Sequence, residues 1–341
     1  MVVTMANEAS RQIQGGLRPM EPVQDLREVA ALIGDAFANE MDERGRAALR
    51  ELRWMARLSP LVWWLSQVDP EFRDAFRGFV WEAPGSGVRG RRVVANVNLN
   101  RAPGNRQRYI ICNVVVDKEF RNRGIGRQLT QAAMDEAVEL GAHGVLLQVY
   151  RENRPALHLY LSLGFQELTG ETEMVAERVP PVAVVEPIGY QVRPWQSDDG
   201  QKMYELARQA VPAPLQWIRP LRVQDYWHDG PSRLLGRLGG LLAGRQTYRL
   251  VALRAEEPVA AVAVTASFRR SEHKLALLVK SEHAGQVESA LFSRALHLLA
   301  ALPPRPVRAS LYTGDVLAVK ALKGYGFQER QTLLTMGHDL R

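Results

Sequence analysis

The 341-residue chain has a formal net charge of +7 and a single cysteine, Cys112. Its length favours two domains over one, and one cysteine excludes both an intrachain disulfide and a metal cluster built on cysteines, as expected in the reducing cytoplasm. The sequence has no run of about 18 apolar residues, so no membrane span is predicted. The arginines are scattered among acids rather than grouped with aromatics, so nucleic acid is not an expected partner either.

The first part of the chain is predicted to contain a tail, a strand and two helices. Residues 1–16 are polar without a signal-peptide pattern, and 17–22 form a short strand closed by proline. Asp25 can cap a helix whose apolar positions are Val29, Leu32, Ile33 and Phe37. A second helix over about 44–66 carries Trp54, Trp63 and Trp64. These tryptophans could line an apolar substrate pocket, although core packing is the commoner role of aromatic residues.

Three strands separated by turns then predict an antiparallel meander over 79–82, 92–100 and 109–116. A glycine-bearing turn and a helix follow, ending at Gly141. The first unit is completed by a strand at 144–150, a short helix at about 154–163 and a hairpin at 166–178 that turns at Thr169-Gly170.

The turn after the meander has the composition of an anion-binding site. It reads Arg121-Asn122-Arg123-Gly124-Ile125-Gly126-Arg127. A helix N-terminus offers an anion unpaired backbone N–H groups and the positive end of the helix dipole. Glycine lets the backbone approach the anion without interference from a Cβ atom. A solvated strand-to-helix turn is the alternative, because this pattern also arises by chance in a chain rich in arginine and glycine.

The second half of the chain repeats the first. Gly164-Phe165-Gln166-Glu167 recurs as Gly326-Phe327-Gln328-Glu329, an offset of 326 − 164 = 162 residues. The same offset matches Leu129 with Leu291, Ala133 with Ala295, Leu140 with Leu302, Tyr150 with Tyr312, Ala156 with Ala318 and Met174 with Met336. Leu17-Arg18-Pro19 also resembles Val192-Arg193-Pro194. The sequence therefore predicts tandem domains at 17–178 and 189–341, joined by a proline-rich linker at 179–188.

The polar turn is not kept in the second repeat. At the same offset, both glycines are lost and Glu288 takes the place of Gly126. Asn153 becomes Asp315, and Tyr160 becomes Leu322. A purely structural turn would be kept equally in both copies, so the difference favours a ligand site in the first copy alone.

The turn and the residues that follow the next strand together resemble the GCN5-related N-acetyltransferase (GNAT) family. The family pattern is matched by Arg121-x-x-Gly124-x-Gly126, the strand 145–149, Asn153, Ala156, Tyr160 and Gly164-Phe165. The resemblance covers 17–178 well and 189–341 as a degenerate copy. It implies an α/β (α+β) fold of two tandem GNAT-like domains, each with a mixed, mostly antiparallel twisted sheet flanked by helices.

The resemblance also implies acetyl-CoA as co-substrate and no metal. The pyrophosphate would bind the backbone N–H groups of the turn, and the pantetheine would pair with the end of the meander, where that strand splays from 144–150. The residues implied to bind the cofactor are Asn113, Val114, Val115, Val116, Arg121, Asn122, Arg123, Gly124, Ile125, Gly126, Arg127, Asn153, Ala156 and Tyr160.

In the family an amine attacks the thioester directly, and Tyr160 matches the general acid that protonates the leaving thiolate. We expect a tyrosine to need only modest acidification for this role. The general base stays open. The position where some relatives carry a carboxylate is Ile110, and the alternatives are Asp117, Glu119, Glu152 or a water relay. Cys112 is interpreted as a small apolar strand residue.

The sequence thus predicts an N-acetyltransferase that acts on an amine of a small molecule or peptide. A non-catalytic, acyl-CoA-binding or regulatory protein is the alternative. The acceptor, the length of the acyl group and the oligomeric state are not predicted.

Overall fold

The structure is a computed structural model that describes residues 16–36, 43–56, 74, 76–85, 90–226, 244–268 and 272–340. The predicted tail up to residue 15, the C-terminal half of the tryptophan-bearing helix and Phe37 lie outside these residues. No helix among them is long and apolar enough to cross a membrane.

The described chain divides into two compact units. Unit 1 holds the described residues within Met1–Leu147, His158–Gln166 and Gly337–Arg341, and unit 2 holds Gln148–Leu157 and the described residues within Glu167–Met336. These units are defined by packing, and each includes short segments from the other half of the chain. The domain boundaries predicted from the sequence describe the repeat, so they remain a prediction.

Unit 1 is a sheet in the order β1-β2-β3-β4-β5 with helices packed on it. Its elements begin with β1 (Gly16–Pro19), α1 (Pro22–Ala36), α2 (Glu43–Met55), β2 (Gly78–Pro84), β3 (Arg91–Arg101) and β4 (Arg108–Val116). They continue with α3 (Ile125–Glu139), β5 (Gly144–Tyr150) and α4 (Arg154–Ser162), of which β5 and α4 also extend into unit 2. The meander is confirmed, since β2, β3 and β4 pair antiparallel, and β4 pairs parallel with β5.

Helix α1 begins at Pro22, three residues before its predicted cap. Asp25 nevertheless serves the helix start, because its carboxylate accepts from the backbone N–H of Glu21 at 2.7 Å. Leu26, Val29 and Ile33 share one helical face and pack with Val80 of β2. Helix α3 buries Leu129, Ala133 and Ala137 in the same way.

The strands of unit 2 follow the order β12-β6-β11-β10-β9-β8-β7. Its elements are β6 (Gln166–Ala176), β7 (Gln191–Pro194), α5 (Gly200–Ala210), α6 (Ala213–Ile218), β8 (Arg245–Arg254), β9 (Glu257–Ser267), β10 (His273–Val279), α7 (Glu288–Ala300), β11 (Val307–Tyr312), α8 (Val316–Gly324) and β12 (Gln328–Asp339). The predicted linker holds neither helix nor strand. Within unit 2, the described pairs are antiparallel apart from β10 with β11.

The predicted hairpin at 166–178 is wrong. The segment is the single strand β6, which pairs with β11 from Glu171 to Ala176. Gly170 was taken for a turn residue, but it marks a close approach of chains. A Cβ there would lie 2.9 Å from the Thr313 side chain and 3.0 Å from the Leu333 carbonyl oxygen.

The tandem repeat is confirmed by the structure. Shifted by 162 residues, α4 coincides with α8 at both ends, and α3, β5 and β6 coincide with α7, β11 and β12 within three residues. The two short strands also share a detail: Arg18 forms two hydrogen bonds with Asp25 at 2.7 Å, and Arg193 forms the same pair with Asp199. Each copy is a mixed α/β unit with a mostly antiparallel sheet, as predicted.

Candidate functional site

The end of β4 departs from regular pairing on both sides. Its parallel register with β5 covers only Arg108 to Ile110, which lies opposite Leu146. Towards β3 the register shifts between Asn96 and Asn98, and Asn113 has a left-handed φ of +52°. The extra residue of such a bulge bends a strand. The splay predicted for this strand is therefore present in unit 1.

Three asparagines hold the bulge in place. The amide of Asn96 donates to Oδ1 of Asn98 at 2.9 Å and to the backbone oxygen of Asn113 at 3.1 Å. The Asn113 side chain donates back to Oδ1 of Asn98 at 3.1 Å. We call these three residues the asparagine latch. Asparagine tolerates the left-handed region better than most residues, and the latch stabilises it there. Sequence reasoning placed Asn113 at the site but missed the other two.

The turn after β4 is stabilised by its own side chains. Asp117 accepts from the Glu119 backbone N–H at 3.0 Å and caps a short 3-10 helix, Lys118–Phe120. Arg121 Nε donates to the carbonyl of Val116 at 3.1 Å, which ties the turn to the strand end. Gly124, with φ of +77°, then directs the chain into α3. That conformation strongly favours glycine.

Within the described part of the chain, no side chain caps the first turn of α3. Gly124 offers no side-chain cap, and no acidic residue lies in the first turn. The helix ladder starts where Gln128 donates to Gly124, so the N–H groups of Ile125, Gly126 and Arg127 have no intrahelical acceptor. A Cβ on Gly126 would make only ordinary contacts, at 3.4 Å from Leu159 and 3.7 Å from Val116. The fold itself does not require glycine at this position.

Positive charge surrounds this helix start. Arg121, Arg123 and Arg127 are exposed, and their hydrogen bonds go to the Val116 carbonyl, the Glu119 carbonyl and the Ser162 hydroxyl, respectively. None of the three forms an ion pair within the described part of the chain. Their charges therefore add to the positive end of the helix dipole.

Tyr160 lies in α4 beside the same turn. Its neighbours Leu159 and Ser162 contact the first turn of α3, at Gly126 and Arg127. The Tyr160 ring is 6% exposed and packs edge-on against Phe165, with 5.9 Å between ring centroids. Burial raises the pKa of Tyr160 to about 12. The expected acidification of this tyrosine is therefore wrong for the site without a bound ligand.

Asn153 and Ala156 lie at the start of α4, in the part that belongs to unit 2. The Asn153 side chain accepts from the Ala156 backbone N–H at 3.3 Å, and its carbonyl accepts from Leu157. Asn153 thus acts as a helix cap, the structural role that the sequence left open beside cofactor contact.

The carboxylates considered as general base all have structural partners. Asp117 and Glu119 lie 3.6 and 2.9 Å from Arg92, and Glu152 accepts from the Thr332 backbone N–H at 3.2 Å. Burial raises the pKa of the Cys112 thiol to about 12, so it is protonated near neutral pH. This supports its interpretation as an apolar strand residue.

The matching helix start in unit 2 is closed by the chain's own carboxylate. Glu288, 3% exposed, accepts from the backbone N–H groups of Gly285 at 2.7 Å and Val287 at 3.1 Å. His283 replaces Arg121 and contacts Tyr190. Asp315, the counterpart of Asn153, has its pKa raised to about 6 by burial and then by the charge of Glu288.

The first repeat carries the sequence signature of a known family. Residues 46–165 match the model of the acetyltransferase (GNAT) family. The mycothiol acetyltransferase of Thermobifida fusca is 42% identical over 67 residues, 20% of each chain. The ribosomal protein bS18-alanine N-acetyltransferase of Salmonella typhimurium is 42% identical over 57 residues, 17% of this chain and 38% of the relative. The chain thus spans less than half the length of these curated relatives.

Solved structures extend the likeness to nearly the whole chain. A GCN5-related N-acetyltransferase from Sphaerobacter thermophilus covers 97% of both chains with a TM-score of 0.60 at 16% identity. A tandem GNAT protein from the clavulanic acid biosynthesis pathway covers 95% of this chain and 98% of its own, with a TM-score of 0.52 at 15% identity. The protein therefore shares the fold of these tandem structures, and residues 46–165 match the GNAT acetyltransferase model.

Proposed function

We propose that the protein is an N-acetyltransferase that moves an acetyl group from acetyl-CoA to an amine of a small molecule or peptide, with all chemistry in the first repeat. The observation that carries this proposal is the contrast between the two helix starts. One is open, arginine-rich and bears a glycine that its fold does not require, whereas the other is filled by Glu288. A carboxylate that occupies the second helix start supports the proposal that the first binds an anion.

The CoA pyrophosphate would bind the N–H groups of Ile125, Gly126 and Arg127, with the three arginines supplying charge. The absence of a side chain on Gly126 leaves room for a phosphate beside the helix. The pantetheine would follow the stretch from Asn113 to Val116, which the bulge turns away from β5. Asn153 and Ala156 remain cofactor contacts that only the family resemblance implies, since Asn153 caps α4 within unit 2.

Tyr160 would act on the leaving thiolate. A phenol with a pKa of about 12 holds its proton at every pH at which the enzyme works. Full transfer to a thiolate of ordinary pKa near 8.5 would then be uphill by roughly 5 kcal/mol. We therefore assign Tyr160 as a general acid whose transfer is coupled to C–S cleavage, beginning as a hydrogen bond to the developing thiolate.

The base remains the least constrained part of the mechanism. Ile110 cannot accept a proton, and the three nearby carboxylates already have structural partners. We therefore propose that a water molecule relays the proton from the attacking amine. Positioning of the amine against the thioester would supply much of the rate.

The test is to copy the second repeat into the first. In Gly126→Glu, the new carboxylate should fill the anion site as Glu288 does, and CoA binding measured by calorimetry should fall by roughly 100-fold or more. Thermal stability should be kept. Gln131→Glu, one turn further along α3, adds the same charge and should bind CoA as the parent does. Unchanged CoA affinity in Gly126→Glu would show that the donor site lies elsewhere.

A non-catalytic acyl-CoA-binding protein is the second candidate, favoured by the apolar residue at Ile110. Thiol release from acetyl-CoA with a panel of amines separates the two. Tight CoA binding without turnover on any amine would favour the binding protein. Turnover that depends on Tyr160 would favour the enzyme.

A further inference from the structure

The asparagine latch leaves one of its own side-chain oxygens without a partner. Asn96 is fully buried, and its amide nitrogen donates both to Asn98 and to the backbone oxygen of Asn113. A side-chain amide has two donor hydrogens and one acceptor oxygen, so Oδ1 is the polar atom that remains. It has no hydrogen-bond partner within the described part of the chain.

The orientation of the Asn96 amide is fixed by its neighbours. Turning the amide over would place Oδ1 against the backbone oxygen of Asn113, which can only accept. The amide nitrogen therefore faces Asn113, at 3.1 Å, and Oδ1 points elsewhere. A buried oxygen without a hydrogen bond costs the full desolvation penalty of that group. Such atoms are rare in native structures, and this one calls for a donor that the chain itself does not supply.

Asn96 lies beside the stretch proposed to hold the pantetheine, on the face of the sheet away from α3. It pairs with Val115, and opposed residues of neighbouring strands point to the same face. Val116 points to the face where α3 begins, since its side chain lies 3.7 Å from a Cβ built on Gly126. Because successive strand residues alternate between faces, Val115 and Asn96 point the other way. That face is covered by α1, against which Val80 packs beside Asn96.

Two more buried atoms without a partner occur in the described part of unit 1, but neither stands at this place. They are Trp81 Nε1 and Asn100 Oδ1. Trp81 pairs with Ala95 and therefore points to the other face of the sheet. Asn100 pairs with Ile110, at a position where β4 still pairs with β5. Asn96 is thus the one that adjoins the splayed end of β4.

The second repeat has lost this oxygen together with its anion site. Val262 stands in the place of Asn96, and the Glu288 carboxylate fills the helix start. The unpaired amide oxygen therefore accompanies the open helix start, which links it to the substrates of the first repeat.

We propose that Oδ1 of Asn96 accepts a hydrogen bond from the attacking amine and so directs the lone pair of the nitrogen towards the thioester. This inference rests on the proposed acetyl transfer, and it names the residue that orients the second substrate. The amine reaches Asn96 from the α1 face, so it does not compete with a pyrophosphate bound at the start of α3.

The contact strengthens as the reaction proceeds. The nitrogen becomes positively charged while its bond to the acyl carbon forms, and hydrogen bonds from a charged donor are stronger than neutral ones. The hydrogen bond to Oδ1 therefore favours the transition state over the bound amine. The amide oxygen does not take the proton, which leaves through the water relay, and the C–S bond then breaks to release the thiolate that Tyr160 protonates.

Two CoA analogues test this contact without turnover. One carries an N-methylacetamide group on the CoA sulfur, so that an amide N–H lies just beyond the acyl position. The other carries a methyl acetate group, in which an ester oxygen replaces that N–H and the shape is kept. In calorimetric titration of the full chain, we expect the amide analogue to bind roughly 10-fold tighter than the ester.

Asn96→Val and Asn98→Val form a matched pair for this titration. Each removes two of the three hydrogen bonds of the latch, but only Asn96→Val removes the unpaired oxygen. The preference for the amide should disappear in Asn96→Val and persist in Asn98→Val, whereas a merely structural role of Asn96 would affect both variants alike. Should Asn96→Val fail to fold, as judged by circular dichroism, Asn96→Ala makes the same comparison.

Equal affinity for the amide and the ester in the parent chain would overturn the inference. A preference that survives in Asn96→Val, or one that disappears in both variants, would overturn it as well. A parent chain that binds neither CoA nor the two analogues would instead refute the proposed donor site, and the inference would fall with it. Failure of the contact and failure of the proposed function therefore give different results.

Discussion

The two repeats differ in how the backbone N–H groups at the start of α3 and of α7 are capped. Both helices present backbone N–H groups that need an acceptor. In α7, the Glu288 carboxylate accepts from Gly285 and Val287, whereas α3 has no side-chain cap and no acidic residue in its first turn. An open helix start gives up the stabilisation that a cap provides, typically about 1 kcal/mol. A bound ligand that supplies the hydrogen-bond acceptor would offset this loss of stability.

The strands that precede these two helices in the chain also differ, since the strand in unit 2 is regular and the one in unit 1 is not. Strand β10 pairs with β9 from Lys274 to Val279 without interruption, and with β11 from His273 to Ala276. Strand β4 bulges and leaves β5 after Ile110. None of the three asparagines that hold the bulge in β4 is kept in unit 2. By strand pairing and the offset of 162, the counterparts are the apolar Val262 for Asn96 and Leu275 for Asn113, and Thr265 for Asn98.

The largest expected effect concerns Tyr160, which the second repeat replaces with leucine. Tyr160→Phe keeps the ring that packs on Phe165 and removes the hydroxyl, so kcat should fall about 100-fold while CoA affinity is kept. Because burial raises the pKa of Tyr160 to about 12, its titration should not lower kcat of the parent between about pH 8 and 10. Tyr109→Phe, another buried tyrosine, is the matched control in steady-state assays. Parent-like kcat in Tyr160→Phe would remove the acid role.

The asparagine latch should give the next largest effect. Asn98→Val removes the side chain to which both Asn96 and Asn113 donate. We expect kcat to fall roughly 10-fold because the strand proposed to hold the pantetheine is misplaced. CoA affinity should change less, because the turn proposed to bind the pyrophosphate is untouched. Asn100→Val, on the same face of β3 but outside the latch, controls for burying an apolar group. Equal losses in both variants would mean that the latch only stabilises the fold.

The sequence predicted the elements whose signals are local and missed those that depend on pairing between distant segments. The glycine turn, the meander and the repeat were readable because glycine, proline and periodic apolar residues specify them directly. Asn96 and Asn98 stand on one face of a strand, and Asn96 could have been noticed because the repeat has Val262 in its place. Gly170 was misread because a close approach of Thr313 and Leu333 leaves no local signal. The burial that raises the pKa of Tyr160 is likewise set by tertiary packing.

Opening the second helix start should cost stability without creating a second CoA site. Glu288→Ala leaves the N–H groups of Gly285 and Val287 without their acceptor, so the free energy of unfolding should fall by about 2 kcal/mol. Denaturant titration measures this loss, and Glu282→Ala, an exposed acid of the preceding turn, is the control. Calorimetry should still give one CoA per chain, since unit 2 lacks the arginines and the bulge. A second CoA bound by Glu288→Ala would contradict the view that several features were lost together.

The smallest expected effect is a gain at Asp315. Burial and the nearby Glu288 raise the pKa of this carboxyl to about 6, from an ordinary value of 3.8. Between about pH 4 and 6, the folded chain therefore keeps the proton on Asp315 that the unfolded chain releases. The free energy of unfolding falls as the pH rises through this range. Asp315→Asn, which copies Asn153, removes this loss and should raise the free energy of unfolding at pH 7 by about 1 kcal/mol once partial exposure is allowed for. Below about pH 4 the two proteins should converge, and Asp225→Asn, at an exposed acid, is the control for removing a carboxylate. A gain that persists undiminished at low pH would assign the effect to helix capping instead of to the buried charge.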